Sequence, residues 1–316
     1  MEDQLLLQLY QILPAERILV KERMEKHTSL HIGGEVDYMI LPAEEEEIKA
    51  VLQLCRQQKL PYYIMGNGSN LLVADSGYRG VVIKLGENFS KLKVGEDGIV
   101  TAQAGILLSK LANEIAGHSL TGFEFAGGIP GTLGGAVTMN AGAYDGEMKQ
   151  CILSARVMDQ EGNIHSLSKE ELQLGYRSSL LQKEKLIVID ATMGFRTGNY
   201  NEIIGKIKEL NALRREKQPL DRYSAGSTFK RPAGYFAGKL IHDAGLRGHT
   251  LGGAQVSEKH CGFLINQGTA TAGEFLALIK EVTQVVEERF GVKLEPEVKL
   301  LGFDASECRL DNEIHG

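Results

Sequence analysis

The chain has 316 residues, enough for two or three domains, and its 43% hydrophobic and 24% charged residues are typical of a folded globular protein. A formal net charge of −6 argues against a general nucleic-acid binder, because contacts with phosphates require a basic surface. No apolar run reaches the roughly 18 residues of a membrane helix, and the N-terminus lacks the basic region of a secretion signal.

Cysteine and histidine spacing predicts neither disulfides nor a metal site. Cys55, Cys151, Cys261 and Cys308 are scattered without CxxC spacing, so buried free thiols are expected, as in a reducing cytoplasm. None of the eight histidines stands in an HExxH pattern, and the sequence has no Cys/His cluster. We therefore expect a cytoplasmic protein without membrane insertion and without a structural or catalytic metal.

The N-terminal part is predicted to alternate between helices and strands. A short amphipathic helix within residues 1–20, broken near Pro14, precedes a strand at 36–41 and a helix that starts at Ala43. A second strand at 62–65 runs directly into a glycine-rich loop. This strand–helix–strand–loop order is typical of a βαβ unit.

The rest of the chain carries patterns for further elements, several of them bounded by glycine or proline. In chain order, these are strands at 80–85 and 99–104 around a hairpin at 95–98, a helix at 107–116, antiparallel strands at 151–159, 163–167 and 186–195, a helix at 201–217 that ends in a basic turn with Arg214, Arg215 and Lys217, a loop centred on Ser227, a helix near 235–244, a strand at 262–266, and a helix at 271–290 with capping-box spacing of Thr271 and Glu274.

The loop after the second strand has small residues whose backbone can approach a ligand closely. Its candidate cofactor-binding residues are Gly66, Asn67, Gly68, Ser69, Asn70 and Leu71. Bare backbone N–H groups in such a loop can approach a diphosphate without side-chain collision. The loop lacks the lysine of a Walker motif and does not match GxGxxG. Taken alone, it fits a structural turn as well as a phosphate cradle.

A second segment, residues 126–136, carries five glycines in eleven residues and no charged side chain. A flexible linker would be polar and a collagen-like repeat would keep a period of three. Backbone that is uncharged and open to close approach fits a buried, extended cofactor, so the two segments together favour cofactor binding over turn structure. Its candidate cofactor-binding residues are Gly128, Ile129, Pro130, Gly131, Gly134, Gly135, Ala136 and, continuing the wall, Asn140, Gly142 and Ala143.

Six segments over residues 20–302, in this order, resemble the UDP-N-acetylenolpyruvoylglucosamine reductase family, also called UDP-N-acetylmuramate dehydrogenases. They are Thr-Ser-Leu-His-Ile-Gly-Gly at 28–34, the loop at 66–72, the segment at 128–140, Tyr-Arg-Ser-Ser at 176–179, Ala-Gly-Ser-Thr-Phe-Lys-Arg-Pro at 225–232 and Leu-Glu-Pro-Glu-Val at 294–298. The interval between Ala244 and Phe263 is short and glycine-rich, so the chain resembles the branch of the family that lacks an extra tyrosine-bearing loop.

The resemblance implies an α+β protein with an FAD-binding fold of the vanillyl-alcohol-oxidase/PCMH type in two subdomains and a C-terminal α+β substrate domain. We accordingly expect subdomain 1 with the N-terminal helix at 1–85, subdomain 2 at 86–200, a substrate-binding domain at 201–302 and a tail at 303–316. FAD is expected to be held non-covalently, because the two glycine segments carry no histidine or cysteine. A monomer or weak oligomer is expected.

The reaction implied by the resemblance is reduction of the enolpyruvyl ether of UDP-N-acetylglucosamine to its lactyl ether, with NADPH as co-substrate, in peptidoglycan precursor synthesis. Arg177 matches the family's catalytic arginine, Ser227 its proton donor and Glu297 its catalytic acid. Glu295, two positions earlier, is the competing match for the acid. Tyr176, Lys230 and Arg231 are the candidate residues for binding the UDP-sugar, and the two cations also stand near Ser227 in sequence.

Other functions fit parts of the same pattern. An FAD-dependent oxidase of a small alcohol or hydroxy acid would share the fold but would lack the serine–arginine–glutamate set and would use oxygen as acceptor. A non-enzymatic flavin-binding module would use the glycine segments alone. A phosphotransferase is disfavoured because the Walker lysine is absent.

Overall fold

The structure is a computed structural model that describes residues 4–304, 306 and 307. The chain divides into two compact units. The first comprises residues 1–20, 38–67 and 80–214, and the second comprises residues 21–37, 68–79 and 215–316.

The α-helices of the described residues are α1 Gln4–Tyr10, α2 Glu45–Gln57, α3 Leu108–Gly117, α4 Leu133–Thr138, α5 Met148–Cys151, α6 Leu180–Lys183, α7 Tyr200–Lys217, α8 Ala237–Asp243 and α9 Ala272–Phe290. The strands are β1 Ile18–Arg23, β2 Glu35–Ile40, β3 Tyr62–Met65, β4 Leu71–Val73, β5 Tyr78–Lys84, β6 Leu92–Val94, β7 Ile99–Gln103, β8 Leu120–Thr121, β9 Gly142–Ala143, β10 Gly146–Glu147, β11 Ile152–Met158, β12 Ile164–Ser168, β13 Ile187–Gly194, β14 Arg196–Thr197, β15 Tyr223–Ser224, β16 Thr250–Leu251, β17 Ala254–Val256, β18 Leu264–Asn266 and β19 Lys299–Leu301.

The first unit is built around a five-stranded antiparallel sheet with strand order β12-β11-β13-β7-β6. Its central strand, β13, is buried along most of its length, which explains its nearly continuous apolar sequence. Helix α4, which includes the end of the second glycine segment, contacts β13 and β7. The core of the unit therefore fixes the backbone on which the predicted cofactor residues lie.

A second sheet has the order β1-β2-β5-β3, with β3 parallel to β5. Helix α2, which lies between β2 and β3 in the chain, begins with a capping box formed by Glu44 and Glu47, and it buries Ile48, Val51 and Cys55 among others. Parallel β3 ends at Met65, so the first glycine loop leaves the carboxyl end of a strand, as the βαβ pattern predicts.

The second unit has an antiparallel sheet of order β15-β18-β17-β16, a parallel pair β19-β4, and a core that includes helices α8 and α9. Helix α9 begins with the predicted capping box of Thr271 and Glu274 and ends at Gly291, whose φ is 65°. The carboxylate of Asp75 accepts hydrogen bonds from the backbone N–H groups of Ala272, at 2.8 Å, and Gly273, at 3.0 Å. The loop after β4 is thereby fixed to the N-terminus of α9.

Most predicted elements lie within one or two residues of those observed, but the first segment was partly wrong. Helix α1 ends at Tyr10, and strand β1, which was not predicted, occupies Ile18–Arg23. This segment is a strand because its backbone pairs with β2, and no local sequence pattern specifies that pairing. The tail predicted at 303–316 lies largely outside the described residues, and the three-part domain division stays a prediction. No helix in the described part of the chain is long and apolar enough to cross a membrane.

Candidate active site

The two glycine segments contact each other in the first unit. The side-chain amide of Asn67 donates a hydrogen bond to the carbonyl oxygen of Pro130 at 2.7 Å. A Cβ atom added to Gly66 would lie 2.1 Å from Thr132 Oγ1 and 3.2 Å from its Cβ. Only glycine at position 66 therefore lets the first loop approach the second segment this closely.

Glycines of the second segment fall into two kinds. A Cβ on Gly134 would lie 2.8 Å from the Cβ of Ala104, so this glycine is required for packing. A Cβ on Gly135 would meet only Thr132 Oγ1, at 3.9 Å, and Gly135 is exposed. Packing within the described residues thus explains Gly134 and leaves the surface of Gly135 open. An open, side-chain-free surface on a rigid helix fits the bare backbone that a flavin dinucleotide requires.

The remaining cofactor candidates of this segment are held by the backbone. The N–H of Ile129 donates to the carbonyl of Ala126, the carbonyl of Gly131 accepts from the N–H of Leu108, and the N–H of Ala136 donates to the carbonyl of Thr132, each at 3.0 Å. The main chain of the segment is therefore fixed before any ligand is bound.

Helix α7 packs against the start of the same segment. A Cβ on Gly127 would lie 3.2 Å from Ile207 Cγ2, and a Cβ on Gly128 would lie 2.4 Å from Asn211 Oδ1 and 3.2 Å from Arg214 Cδ. These three α7 residues share one face of the helix because they are four and three residues apart. The sequence pattern placed Arg214 only in a basic turn at the helix end. Its spacing of seven residues from the apolar Ile207 was the signal that could have indicated that its side chain faces inward.

Asn140 links the second glycine segment to the turn that carries Arg177. It is 1% exposed, and its side-chain amide donates to Glu147 Oε2 at 3.0 Å and to the carbonyl of Gly175 at 3.1 Å. The predicted cofactor residues Gly142 and Ala143 form β9 of a tight hairpin, in which a Cβ on Gly142 would lie 2.5 Å from the carbonyl oxygen of Gly146. The roles found for these residues are structural contacts, which is how the segment keeps its shape.

Tyr176 and Arg177 occupy the tip of a turn closed by two hydrogen bonds between Gly175 and Ser178, at 2.9 and 3.2 Å. Arg177 has a φ of 52°, in the left-handed region that favours glycine. Its guanidinium carbon lies 5.3 Å from the centroid of the Tyr176 ring, a cation–π contact. The Ser179 hydroxyl donates to the carbonyl of Thr138 at 2.6 Å and fixes the turn to α4. Arg177 is thus presented on a rigid base.

In the second unit, the backbone joins the segments of Ser227 and Glu297. The N–H of Glu297 donates to the carbonyl of Thr228 at 2.8 Å, and Phe229 forms an antiparallel bridge with Pro296. Thr228 is buried, and its hydroxyl accepts a hydrogen bond from the N–H of Leu264 at 3.0 Å. Ser227, beside it, is exposed. Ser227 and Glu297, both predicted to act in catalysis, are 70 positions apart in sequence. They nevertheless lie on adjacent, hydrogen-bonded backbone segments.

The C-terminal half of the first glycine loop also reaches this pair of segments. The side-chain amide of Asn70 donates to the carbonyl of Glu297 at 3.1 Å, and the N–H of Lys299 donates to the carbonyl of Asn70 at 3.1 Å. Gly68 has a φ of 64° and accepts a hydrogen bond from the N–H of Ser29 at 3.2 Å, while Leu71 is buried at the start of β4. The amide of Asn70 is therefore a structural donor within the second unit.

The two predicted substrate cations have neighbours of their own. Lys230 forms an ion pair with Glu295, and its backbone N–H donates to the carbonyl of Glu295 at 2.8 Å. The guanidinium of Arg231 lies 4.0 Å from the ring centroid of Phe236, whose side chain is 59% exposed. Glu295 therefore pairs with a lysine at the surface, while Glu297 lies on the segment joined to Ser227.

Cys55, Cys151 and Cys261 are buried free thiols in the structure, as predicted. Burial raises the pKa of Cys55 to about 11 and that of Cys151 to about 12, so neither is a reactive thiolate at neutral pH. Cys308 lies outside the described residues. Within residues 4–304, 306 and 307, no group of three or more His, Cys, Asp or Glu side chains could hold a metal ion.

Comparison with known proteins gives matches along nearly the whole chain. Residues 218–301 match the family model for the C-terminal domain of UDP-N-acetylenolpyruvoylglucosamine reductase, and residues 36–168 match an FAD binding domain. The UDP-N-acetylenolpyruvoylglucosamine reductase of Lachnoclostridium phytofermentans is 56% identical over 96% of this chain and 98% of its own length. That of Clostridioides difficile is 53% identical over 94% of this chain and 97% of its own length.

A solved structure agrees with these sequence matches. The crystal structure of UDP-N-acetylenolpyruvylglucosamine reductase from Thermus caldophilus has a TM-score of 0.75 and 34% identity, and the match covers 90% of this chain and 98% of that chain. The predicted α+β class with an FAD-binding domain and a distinct C-terminal domain is confirmed.

Proposed function

Because this chain belongs to the UDP-N-acetylenolpyruvoylglucosamine reductase family, we propose that it uses NADPH to reduce the enolpyruvyl ether of UDP-N-acetylglucosamine to UDP-N-acetylmuramate. It is a flavin-dependent oxidoreductase, and the family assignment favours the reductase over an FAD oxidase or a non-enzymatic flavin module. The observation that carries the residue assignments is the backbone junction of Thr228 with Glu297, which supports a shared role for Ser227 and Glu297.

FAD fits the glycine segments of the first unit. The open surface of Gly135 and the fixed main chain of residues 128–136 favour a cofactor that lies against bare backbone. When bound, FAD supplies hydride transfer from NADPH to the terminal carbon of the enolpyruvyl double bond. The protein is left with three tasks: holding the substrate carboxylate, delivering one proton, and excluding side reactions.

Arg177 is proposed to bind the substrate carboxylate. A guanidinium offers a rigid pair of donors that matches a carboxylate, and its charge stabilises the negative charge that develops next to that carboxylate as the hydride arrives. The turn that carries Arg177 supports this role, because its backbone is fixed by Asn140 and by Ser179. Holding an arginine at a φ of 52° costs free energy, which is expected where the position of a side chain serves a function.

Ser227 is proposed to donate the proton from Oγ to the carbon that bears the carboxylate. One hydride and one proton then saturate the double bond, and the serine oxygen regains a proton from solvent. A serine hydroxyl is a weak acid, so it must be held against a strongly basic carbon centre. The exposed Ser227 side chain beside the buried Thr228 favours this, because Thr228 fixes the backbone while Oγ stays accessible.

Glu297 is proposed to orient the proton donor and polarise the substrate. Its peptide is held from both sides, by Thr228 at its N–H and by Asn70 at its carbonyl, so the position of the carboxylate is constrained. Glu295 is the poorer candidate, since its carboxylate pairs with Lys230 and its side chain is 69% exposed. Tyr176, Lys230 and Arg231 are proposed to bind the UDP-sugar, with the cations directed at its diphosphate.

The biological setting is proposed from the same family membership. The product is a precursor of peptidoglycan, so the enzyme would serve cell-wall synthesis, cell shape and division. Buried free thiols at Cys55, Cys151 and Cys261 favour a cytoplasmic location, where the nucleotide substrates are made. A monomer or weak oligomer stays a prediction.

The proposal is tested by separating the two half-reactions in a Ser227→Ala variant. Under anaerobic conditions, loss of flavin absorbance after mixing with NADPH should proceed at the wild-type rate, since no proton reaches the substrate in that step. Recovery of absorbance on adding UDP-N-acetylglucosamine enolpyruvate should slow by about 10²–10⁴-fold, the usual contribution of general acid catalysis.

The matched control is Ser109→Ala, which removes an exposed hydroxyl from helix α3. It should leave both half-reactions unchanged. Equal loss of both half-reactions in Ser227→Ala would count against the proton-donor role and point to an altered fold.

A further inference from the structure

Among the residues that the structure describes, Arg214 has no anionic partner, and its side chain lies beside the second glycine segment. It stands in the last turn of α7, and its side chain fills the space that a Cβ on Gly128 would need, with Cδ at 3.2 Å and Nη1 at 3.6 Å from that position. Burial lowers its pKa, and the opposing influence is the phenol of Tyr144, not a carboxylate. Within the described ranges of the chain, its guanidinium makes no ion pair and no hydrogen bond.

Such an arrangement is costly unless an anion is supplied. Arginine stays protonated in proteins, and burying a charge without a partner is unfavourable. By contrast, the half-buried Arg156 pairs with both Glu45 and Asp190, and Arg17 pairs with Glu47. Arg214 therefore differs from Arg156 and Arg17, and the missing counter-charge points to a ligand.

The neighbourhood indicates the chemical class of that ligand. Residues 126–137 carry no acidic or basic side chain, so a diphosphate along this backbone would find no cation on the segment itself. The Arg214 side chain packs on Gly128, at the start of the segment whose Gly135 is open. A guanidinium in this position supplies the positive charge and the donor fork that a phosphate group prefers.

We propose that Arg214 is the counter-charge for the diphosphate of bound FAD. The inference rests on the proposed function, because it assumes that FAD lies along the second glycine segment. The diphosphate of the UDP-sugar is the weaker choice, since the candidate substrate residues Lys230 and Arg231 already provide cations for it. Asn211 lies on the same helix face, and its Oδ1 also occupies the space next to Gly128.

The test is FAD affinity in the full-length protein freed of flavin. Titration with FAD, followed by quenching of flavin fluorescence, should give an Arg214→Ala dissociation constant about 10–100-fold above wild type, the range expected for a charge-assisted hydrogen bond. Arg214→Lys should lie between the two. The wild-type dissociation constant should rise with salt concentration, and this dependence should weaken in Arg214→Ala. Lys208→Ala removes an exposed cation from the same helix and should behave as wild type.

Three results would overturn the inference. The first is an FAD dissociation constant for Arg214→Ala within twofold of wild type. The second is an unchanged FAD affinity with a raised KM for UDP-N-acetylglucosamine enolpyruvate, which would assign the arginine to the substrate. The third is a loss of FAD affinity that Lys208→Ala shares, or that comes with a lower Tm of the flavin-free Arg214→Ala variant. That result would mean that Arg214 stabilises the fold through its interaction with the C-terminal dipole of α7. If wild-type protein itself binds no FAD, the proposed function fails, and that outcome is distinct from the other three.

Discussion

Replacing Gly135 with alanine should make the flavin-free protein more stable and at the same time weaken FAD binding. Gly135 lies within helix α4, has no positive φ, and offers a new Cβ only one neighbour, Thr132 Oγ1 at 3.9 Å. Alanine there restricts the unfolded chain without strain in the fold, so the free energy of unfolding should rise by about 0.4–1 kcal/mol. That corresponds to a Tm increase of about 1–4 °C.

The opposite effect is expected at Gly66, which serves as the matched packing control. A Cβ there would lie 2.1 Å from Thr132 Oγ1, so the two glycine segments would have to separate. Overpacking of this kind costs about 1–3 kcal/mol, and Gly66→Ala should lower the Tm of the flavin-free protein. Combining it with Thr132→Ala removes the Oγ1 contact and should recover part of the loss.

FAD titration completes the comparison. If the cofactor lies against the open surface of Gly135, the added methyl group must displace it, and a steric cost of about 1–3 kcal/mol would weaken FAD affinity roughly 5–150-fold. The assay pairs thermal unfolding with and without FAD and a direct titration. A Gly135→Ala variant that is more stable and binds FAD as tightly as wild type would refute the placement of the cofactor, and a less stable flavin-free variant would refute the packing argument.

Four further substitutions test individual residues. Glu297→Gln should slow substrate reduction by about 10²-fold or more. Glu295→Gln should change that rate less than about threefold, because exposed ion pairs contribute little. Similar losses in both variants would contradict the assignment of Glu297 as the catalytic acid. Arg177→Lys should lower kcat/KM for the enolpyruvyl substrate by about 10–100-fold, since lysine lacks the fork of donors, while flavin reduction by NADPH stays unchanged. Burial raises the pKa of Glu47, but hydrogen bonds from Arg17 and the backbone outweigh this effect and hold the pKa below its ordinary value of 4.5. The ionised Glu47 carboxylate therefore stabilises the fold above that value, and this stabilisation is lost as pH falls through the folded pKa. The free energies of unfolding of Glu47→Gln and wild type, measured in urea, should differ at pH 7 and converge at low pH.

Local patterns predicted the elements whose boundaries are set by short-range chemistry. Helix α9 starts at the residue after Thr271 because its capping box is encoded within four residues, and it ends where Gly291 adopts a positive φ. Strand β1 was missed because Ile18–Arg23 becomes a strand only through its partner β2. The information for that pairing is not carried by the segment itself.

In the candidate site, too, the sequence predicted some residues, while the contacts that explain them depend on distant parts of the chain. Gly66 and Gly134 stood out by residue type, but the physical reason for each, contact with Thr132 and Ala104 respectively, depends on residues distant in sequence. Arg214 was not singled out, because a basic residue at a helix end is common and its burial depends on the glycine segment packed against it. The proposed roles of Arg177, Ser227 and Glu297 came from motif resemblance, and the structure adds the contacts that would hold them.

The most direct measurement is anaerobic reoxidation of the NADPH-reduced wild-type enzyme. We expect UDP-N-acetylglucosamine enolpyruvate to restore the oxidised flavin spectrum rapidly, with one equivalent of UDP-N-acetylmuramate formed per flavin, identified by mass spectrometry. Failure of this substrate to reoxidise the flavin, while oxygen does so rapidly, would contradict the account and favour an oxidase.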